Sequence, residues 1–458
     1  MEKRDVVIVG GGPAGYRAAI RVAQLGGKAT LIDKDTLGGT CINRGCIPVG
    51  ALSRGAEIVE LARTGKDYGI NCKEVEIDFS KMISRKNIIV RTLVAGIKQT
   101  LSSLKIEVIE GTGKLTSPSQ IEVLLRNGSK KEMEARRIII AGGSKWKKPL
   151  LPGGEKMITP TEALDFKAIP KSMVILGGGY VGTSMATIFS RLGTAVSIME
   201  ESRRILPEVD REIVSIFEKE LENQKIQIYT EAQVHRIEEK GRDEKKVRAT
   251  QKGKELDLTV QYVLMAEGRA ADVDEMGLDK VGIKRNEKAG VAVNRRMETN
   301  SPTVLAAGDV TMQHMWTHIA YVEGMIAAEN AMGKASEIDY RAIPYGSNTL
   351  PEIASVGLTE EEAIAQGYQV KVARFPFANN GLATILGQRT GMMKVIAEGK
   401  YNQIIGAHII GPRATELIAE ATMAMKLEIT AGEISATLHY HPTLSEGFWE
   451  VARNVCGG

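Results

Sequence analysis

Two cysteines with four residues between them, Cys41-Ile42-Asn43-Arg44-Gly45-Cys46, are the first residues in this chain whose type and spacing could do chemistry. A thiolate is both a nucleophile and a metal ligand. Three uses are therefore open: zinc coordination, a structural disulfide, or thiol–disulfide cycling. Zinc sites usually place two residues between paired cysteines and need a second Cys/His pair, which this chain does not offer at zinc spacing, so no metal is expected. A structural disulfide belongs in an oxidising compartment, and only 4 of 458 residues are cysteines. Cycling is the favoured reading. Geometry adds a condition. Five residues along an ideal helix rise about 7.5 Å, beyond the roughly 4.4–6.8 Å between Cα atoms that a disulfide tolerates. The segment cannot be a regular helix while bonded, and Gly45 and Pro48 are suited to distorting it. Cys72 and Cys456 have no comparable surroundings and read as incidental.

The elements that would position this pair form a repeat. A short apolar strand, Asp5–Gly10, runs into Gly10-Gly11-Gly12-Pro13-Ala14-Gly15, then a helical pattern, then a strand ending at Asp33. The same layout recurs at Met173–Leu176, Gly177-Gly178-Gly179-Tyr180-Val181-Gly182, a helical pattern, and a strand ending at Glu200. Gly10, Gly12, Gly15, Gly26 and Asp33 match Gly177, Gly179, Gly182, Gly193 and Glu200 at one constant offset of 167 residues. The first glycine allows a tight turn, the second lets backbone approach a pyrophosphate, and the third permits close helix–strand packing. The helix N-terminus presents free N–H groups to the phosphate. The acid accepts from an adenosine ribose. Two such loops predict two dinucleotide sites. Glu200 suits a free 2′-hydroxyl and opposes a 2′-phosphate, a preference that the neighbouring Arg203 and Arg204 weaken.

Thr299–Asp309 reads as a turn, a buried strand and a Gly308-Asp309 end, placing an acid where it could reach the sugar-like chain of a flavin. Its position after the second loop makes the chain return to the first domain. The expected organisation is residues 1–145 and 269–340 for the first dinucleotide domain, 146–268 for the second, inserted into it, and 341–458 for a third. In the last segment, Phe375–Phe377, Met392–Ala397 and Ile404–Gly411 read as sheet and Ala414–Met425 as an amphipathic helix.

Composition excludes other classes. Sixty basic against 56 acidic residues leave a net charge of +4, too small on this length to imply nucleic-acid or membrane partners. No apolar run is long enough for a membrane span, and the charged start resembles no secretory signal. A cytoplasmic protein is expected. With 48 glycines and 5% aromatics, an α/β protein is favoured over a β-sandwich.

Together, Gly10–Gly15, Gly39-Thr40-Cys41 through Cys46-Ile47-Pro48, Gly177–Gly182, Gly308-Asp309 and His441-Pro442-Thr443-Leu444-Ser445-Glu446 resemble the FAD-dependent pyridine nucleotide–disulfide oxidoreductases over essentially the whole chain, and most of all their lipoamide branch. The resemblance implies two Rossmann-like domains, for FAD and NAD, plus a C-terminal α+β dimerisation domain. The reaction it implies is dihydrolipoamide + NAD+ = lipoamide + NADH, on a small or carrier-bound lipoyl substrate. Cys41 would be the interchange thiol and Cys46 the flavin-side, charge-transfer thiolate. His441, contributed by the other subunit of a homodimer, would be the acid–base, oriented by Glu446. His439 reads better as a packing histidine. FAD would be held by Gly10, Gly12, Pro13, Ala14, Gly15, Asp33, Gly39, Thr40, Gly308 and Asp309. NAD would be held by Gly177, Gly179, Tyr180, Val181, Gly182, Glu200 and Gly268.

The sequence also departs from that pattern. The family's Ser-Lys after the cysteine box is Val49-Gly50, and the glutamate that pairs with the lysine is Ser184. Ala-Thr-Gly is replaced by Ala141-Gly142-Gly143, and Pro-Asn by Ala271-Asp272. Loss of one half of a buried ion pair would strand a charge at a cost of several kcal/mol, whereas joint loss is coherent. Altered flavin tuning and slower exchange with nicotinamide are the expected result. Rival readings are a glutathione- or mercuric-reductase-like enzyme and a low-turnover flavoprotein that binds a lipoyl carrier. An arginine is usual in the glutathione enzymes where Glu200 stands, and the tail offers Cys456 alone rather than a redox pair.

Overall fold

Runs of β-branched residues without polar alternation form parallel strands buried on both faces. Val6–Val9 behaves this way: it is the buried end of strand β1 (Glu2–Val9). The computed structural model describes residues 2–147, 150–241 and 243–457. It contains two compact units.

The first unit comprises Met1–Ala51, Ile83–Lys147 and Gly268–Asp339. After β1 come helix α1 (Pro13–Gln24), strand β2 (Ala29–Asp33), helix α2 (Gly39–Arg44), the start of helix α3 (Cys46–Thr64), and strands β3 (Glu107–Ser117), β4 (Gln120–Leu125) and β5 (Lys130–Ile140). Strand β1 lies between β2 and β5, parallel to both. The short strand Val304–Ala306 pairs in parallel with β5, Val304 opposite Ile138. Val7, Val9, Ile138, Ile140 and Ala306 share one core beneath this sheet. The cysteine segment is not one continuous helix. Helix α2 ends at Arg44, Gly45 adopts φ −140° and ψ −112°, and α3 starts at Cys46.

The second unit comprises Leu52–Met82, Lys148–Glu267 and Tyr340–Gly458. It contains strand β6 (Ser172–Leu176), helix α4 (Tyr180–Leu192), strand β7 (Ala195–Glu200), helix α5 (Arg211–Asn223), strand β8 (Gln227–Thr230) and strand β9 (Tyr262–Met265). All four strands are parallel, in the order β9-β6-β7-β8. An antiparallel sheet follows in the chain, of β10 (Pro344–Ser347), β11 (Glu352–Gly357), β12 (Val370–Pro376), β13 (Met392–Glu398) and β14 (Ile404–Gly411). Helix α6 (Glu360–Ala365) links β11 to β12, and helices α7 (Ala414–Lys426) and α8 (Glu446–Val455) follow β14. Ile418, Phe448 and Val451 pack on Val395 and Ile409. The sheet expected at Phe375–Phe377 stops at Pro376, whose ring leaves no N–H to continue a ladder. The chain is therefore an α/β protein with two parallel-sheet dinucleotide-type folds and a C-terminal α+β portion. No helix among the described residues is long and apolar enough to cross a membrane.

A buried cation ties parts of the second unit together. Lys394 on β13 is 3% exposed, and its ammonium lies 2.9 Å from Asp210, 2.9 Å from Glu212 and 2.7 Å from Glu360. Asp210 caps α5 by accepting from the Glu212 N–H at 3.0 Å, and Glu360 opens α6. Arg374 on β12 pairs with Glu212 and Glu360 at 2.7 and 3.1 Å. Burial works against the Asp210 carboxylate, but the Lys394 ammonium outweighs it and holds the pKa below the ordinary aspartate value. Removing one partner of such a group leaves uncompensated charge. Lys394→Met is expected to cost about 3–5 kcal/mol, read as a lower urea midpoint at unchanged secondary structure by circular dichroism.

Candidate active site

Both glycine loops are built by the same close approach. A Cβ at Gly15 would lie 1.7 Å from the Gly10 carbonyl oxygen, and one at Gly182 would lie 2.0 Å from that of Gly177. Only glycine lets each helix start against its strand end. Pro13 is the first residue of α1 and Ala14 is buried in its first turn. Tyr180 opens α4 with its ring 6.1 Å from that of Tyr345, and Val181 beside it is exposed. Gly39 closes on the first loop, its Cβ direction only 2.6 Å from the Gly12 Cα.

The two acids perform one more matching task. Asp33 accepts from the Gly11 N–H at 2.6 Å and the Asp35 N–H at 2.8 Å. Glu200 accepts from the Gly178 N–H at 2.7 Å and the Ser202 N–H at 2.8 Å. All four donors obey the 167-residue offset. Each carboxylate thus holds its loop in shape, with lone pairs to spare for a sugar hydroxyl. Burial, against the two N–H donors, leaves Asp33 with a pKa above the ordinary value.

Gly308 and Asp309 follow the strand Val304–Ala306 in the first unit. The Gly308 N–H donates to the fully buried Glu323 at 2.7 Å, and Asp309 accepts from the Ser144 hydroxyl at 2.6 Å. Arg269 donates to the Ser144 hydroxyl at 2.7 Å and its carbonyl at 2.5 Å, reaches the Thr40 hydroxyl at 3.5 Å, and stacks 4.5 Å over Trp146. This network ties the strand ends to the residue before Cys41. Ser144, Glu323 and Trp146 were not legible in the sequence, because each contributes through a partner more than 10 residues away.

The cysteines are both thiols in this structure, Cys41 buried and Cys46 exposed. The Cys41 thiol donates to Cys46, which lowers the Cys46 pKa to about 6 against the opposing effect of burial. The Thr317 hydroxyl, 3.5 Å away, helps. The same hydrogen bond, followed by burial, pushes the Cys41 thiol well up. The pair is asymmetric: a thiol donating to a thiolate. Cys46 also stands at the N-terminus of α3, whose dipole favours negative charge.

In the second unit, the exposed His441 engages Glu446 through Nδ1 at 2.7 Å, and Glu446 also accepts from the Thr443 N–H at 2.8 Å. Burial opposes, but those two contacts hold Glu446 below the usual carboxylate pKa. His441 Nε2 is then the outward nitrogen. His439 is largely buried and paired through Nε2 with Glu420 at 2.7 Å. Gly268 has a φ of +106°. Ser184 is buried and hydrogen-bonded to Ser347 at 2.8 Å, and nothing lies within 4 Å of the Cβ direction at Gly50.

The chain matches the family model for pyridine nucleotide-disulphide oxidoreductases over residues 4–333 and that for their dimerisation domain over residues 343–452. It is 39% identical over 457 residues to a dihydrolipoyl dehydrogenase of Thermus scotoductus, covering 99% of this chain and 97% of that one. It is 37% identical over 454 residues to one of Bacillus subtilis, covering 99% and 96%. The structure of the HOCl-induced flavoprotein disulfide reductase RclA from Escherichia coli, in its Cu(II) complex, is similar with a TM-score of 0.90 at 28% identity, covering 99% of this chain and 100% of that one.

The asymmetry of the thiols has a spectroscopic consequence. Titrating the reduced protein at 240 nm should show one thiolate forming with a midpoint near about 6. Cys46→Ser should remove it, and Cys41→Ala should move it upward by taking away the donor. A lowest midpoint at the ordinary thiol value of roughly 8.5 would contradict the arrangement.

Proposed function

The chain belongs to the pyridine nucleotide-disulphide oxidoreductase family, and from that premise we propose that it oxidises dihydrolipoamide with NAD+ through Cys41 and Cys46. The enzyme uses FAD and NAD and is a homodimer. The residues fit both cofactors: each glycine loop is a backbone cradle that any side chain would fill, closed by a carboxylate held on two N–H groups. In this reading Gly10–Gly15, Asp33, Gly39, Thr40, Gly308 and Asp309 hold FAD. Gly177–Gly182, Glu200 and Gly268 hold NAD. Bound there, FAD would supply two-electron redox chemistry between the dithiol and the nicotinamide.

The protein's own steps are thiol–disulfide exchange. One substrate sulfur gives its proton to His441 of the partner subunit and attacks Cys41 of the Cys41–Cys46 disulfide. That bond breaks, and its electrons leave on Cys46. The second substrate sulfur then attacks the first, releasing Cys41, which takes up the second sulfur's proton. Substrate becomes the disulfide, Cys41 a thiol, Cys46 a thiolate, and His441 a cation. The observation that carries the proposal is the asymmetry of the pair, with Cys41 buried and donating to Cys46, whose pKa is lowered. Glu446 supports the cation on His441. A cytoplasmic location accords with a dithiol that must cycle. NADH formation from dihydrolipoamide, followed at 340 nm, is the test. Cys41→Ser and Cys46→Ser should abolish it, and His441→Gln should lower kcat by about 10²–10⁴-fold. A parent enzyme that forms no NADH overturns the proposal.

The neutral Gly50 and Ser184 favour one qualification of rate. The family's lysine at position 50 would stabilise a reduced, anionic flavin, and this chain carries no charge at either position. In stopped flow, reduction by dihydrolipoamide should be fast and the return step with NAD+ slow enough to limit turnover. An NAD+ step faster than the thiol step would refute this.

A further inference from the structure

The two repeats agree at one more place, where their residue types differ. The chain leaves β5 as Ala141-Gly142-Gly143 and leaves β9 as Ala266-Glu267-Gly268. In each, the alanine N–H donates to the carbonyl of the last residue of the loop-bearing strand: Ala141 to Val9 at 2.8 Å, Ala266 to Leu176 at 2.7 Å. In each, the first loop glycine presses on the next peptide. A Cβ at Gly10 would lie 2.2 Å from the Ala141 oxygen and 2.9 Å from the Gly142 nitrogen, and one at Gly177 would lie 2.7 Å from the Ala266 oxygen and 3.2 Å from the Glu267 nitrogen. In each, the third residue is a glycine of positive φ, +76° at Gly143 and +106° at Gly268. Gly142 and Glu267 are therefore equivalent positions.

The strand order puts that position opposite the sugar-side acid. Strand β6 lies between β9, which leads to Glu267, and β7, which ends at Glu200. Strand order reverses between β6 and β9, and open parallel sheets bind ligands across the carboxyl ends at such a reversal. The first repeat leaves bare backbone there, and the second places a carboxylate. Glu267 has no cation paired to it among the described residues. It is within electrostatic reach of Glu201 and Glu200, and its surroundings, with burial foremost, hold its pKa above the ordinary glutamate value.

We propose that Glu267 is a charge-based specificity residue of the nicotinamide site, weakening binding in proportion to the negative charge of the dinucleotide. This rests on the reading that the second glycine loop takes NAD. NAD+, NADH, NADP+ and NADPH form a series of rising negative charge, from the cationic oxidised ring to the added 2′-phosphate. Glu200 opposes only the 2′-phosphate, whereas Glu267 acts on every member.

The experiment measures KM and Kd for all four cofactors on the full-length flavin-loaded dimer and on Glu267→Gln, Glu267→Asp and Glu267→Gly, the last copying the first repeat, at pH 8 and at low and high salt. Glu267→Gln should tighten NAD+ by roughly 2–3-fold and NADPH by on the order of tenfold at low salt, with the gain shrinking in 1 M salt. The change should appear in KM rather than kcat. Glu267→Asp should keep the parent series, and Glu267→Gly should follow Glu267→Gln. An equal shift for all four cofactors, a shift insensitive to salt, or Glu267→Asp behaving as Glu267→Gln would overturn the proposal. If none of the four binds even the parent enzyme, it is the reading of the second loop that falls, and the role of Glu267 with it.

Discussion

A single close approach organises both nucleotide folds. The third glycine of each loop has its Cα so near the first glycine's carbonyl that a Cβ would overlap it, at 1.7 Å in one copy and 2.0 Å in the other. That contact decides where the helix starts relative to the strand, and hence where its free N–H groups point. The carboxylate at the end of the next strand then grips the loop through a backbone amide, Asp33 through Gly11 and Glu200 through Gly178. The acid is a structural clamp on its loop. The repeat is therefore one of geometry and not of glycine count.

The redox pair depends on that frame. Gly39 packs on the first glycine loop, so α2 begins against it. The break at Gly45 then lets Cys41 and Cys46 approach as a regular helix could not. Their surroundings differ enough to separate their acidities. Cys46 has a helix N-terminus and two donors, and Cys41 is buried and gives up its proton's hydrogen bond.

In the second unit, charge is handled in two opposite ways. Around the buried Lys394, three carboxylates and Arg374 form an ion-pair network that pins helix starts to a sheet. At the end of β9, Glu267 has no cation paired with it among the described residues and lies near two other glutamates.

The sequence by itself determined the two loops, their 167-residue register, the acids, the cysteine pair and the break between them. Each of these is a local pattern, in which residue type and spacing along the chain already state the geometry. The C-terminal histidine and glutamate were legible only through a family motif, since neither residue type is telling alone. Tertiary structure decided what depends on partners distant in sequence. It set the acidities of Cys41 and Cys46, the Arg269–Ser144–Asp309 network, the Lys394 cluster, and the equivalence of Gly142 with Glu267. Hydrogen bonding, burial and Coulomb forces act through space, and no spacing rule along the chain could place Glu267 across the loop from Glu200 before β9 was seen to pair with β6.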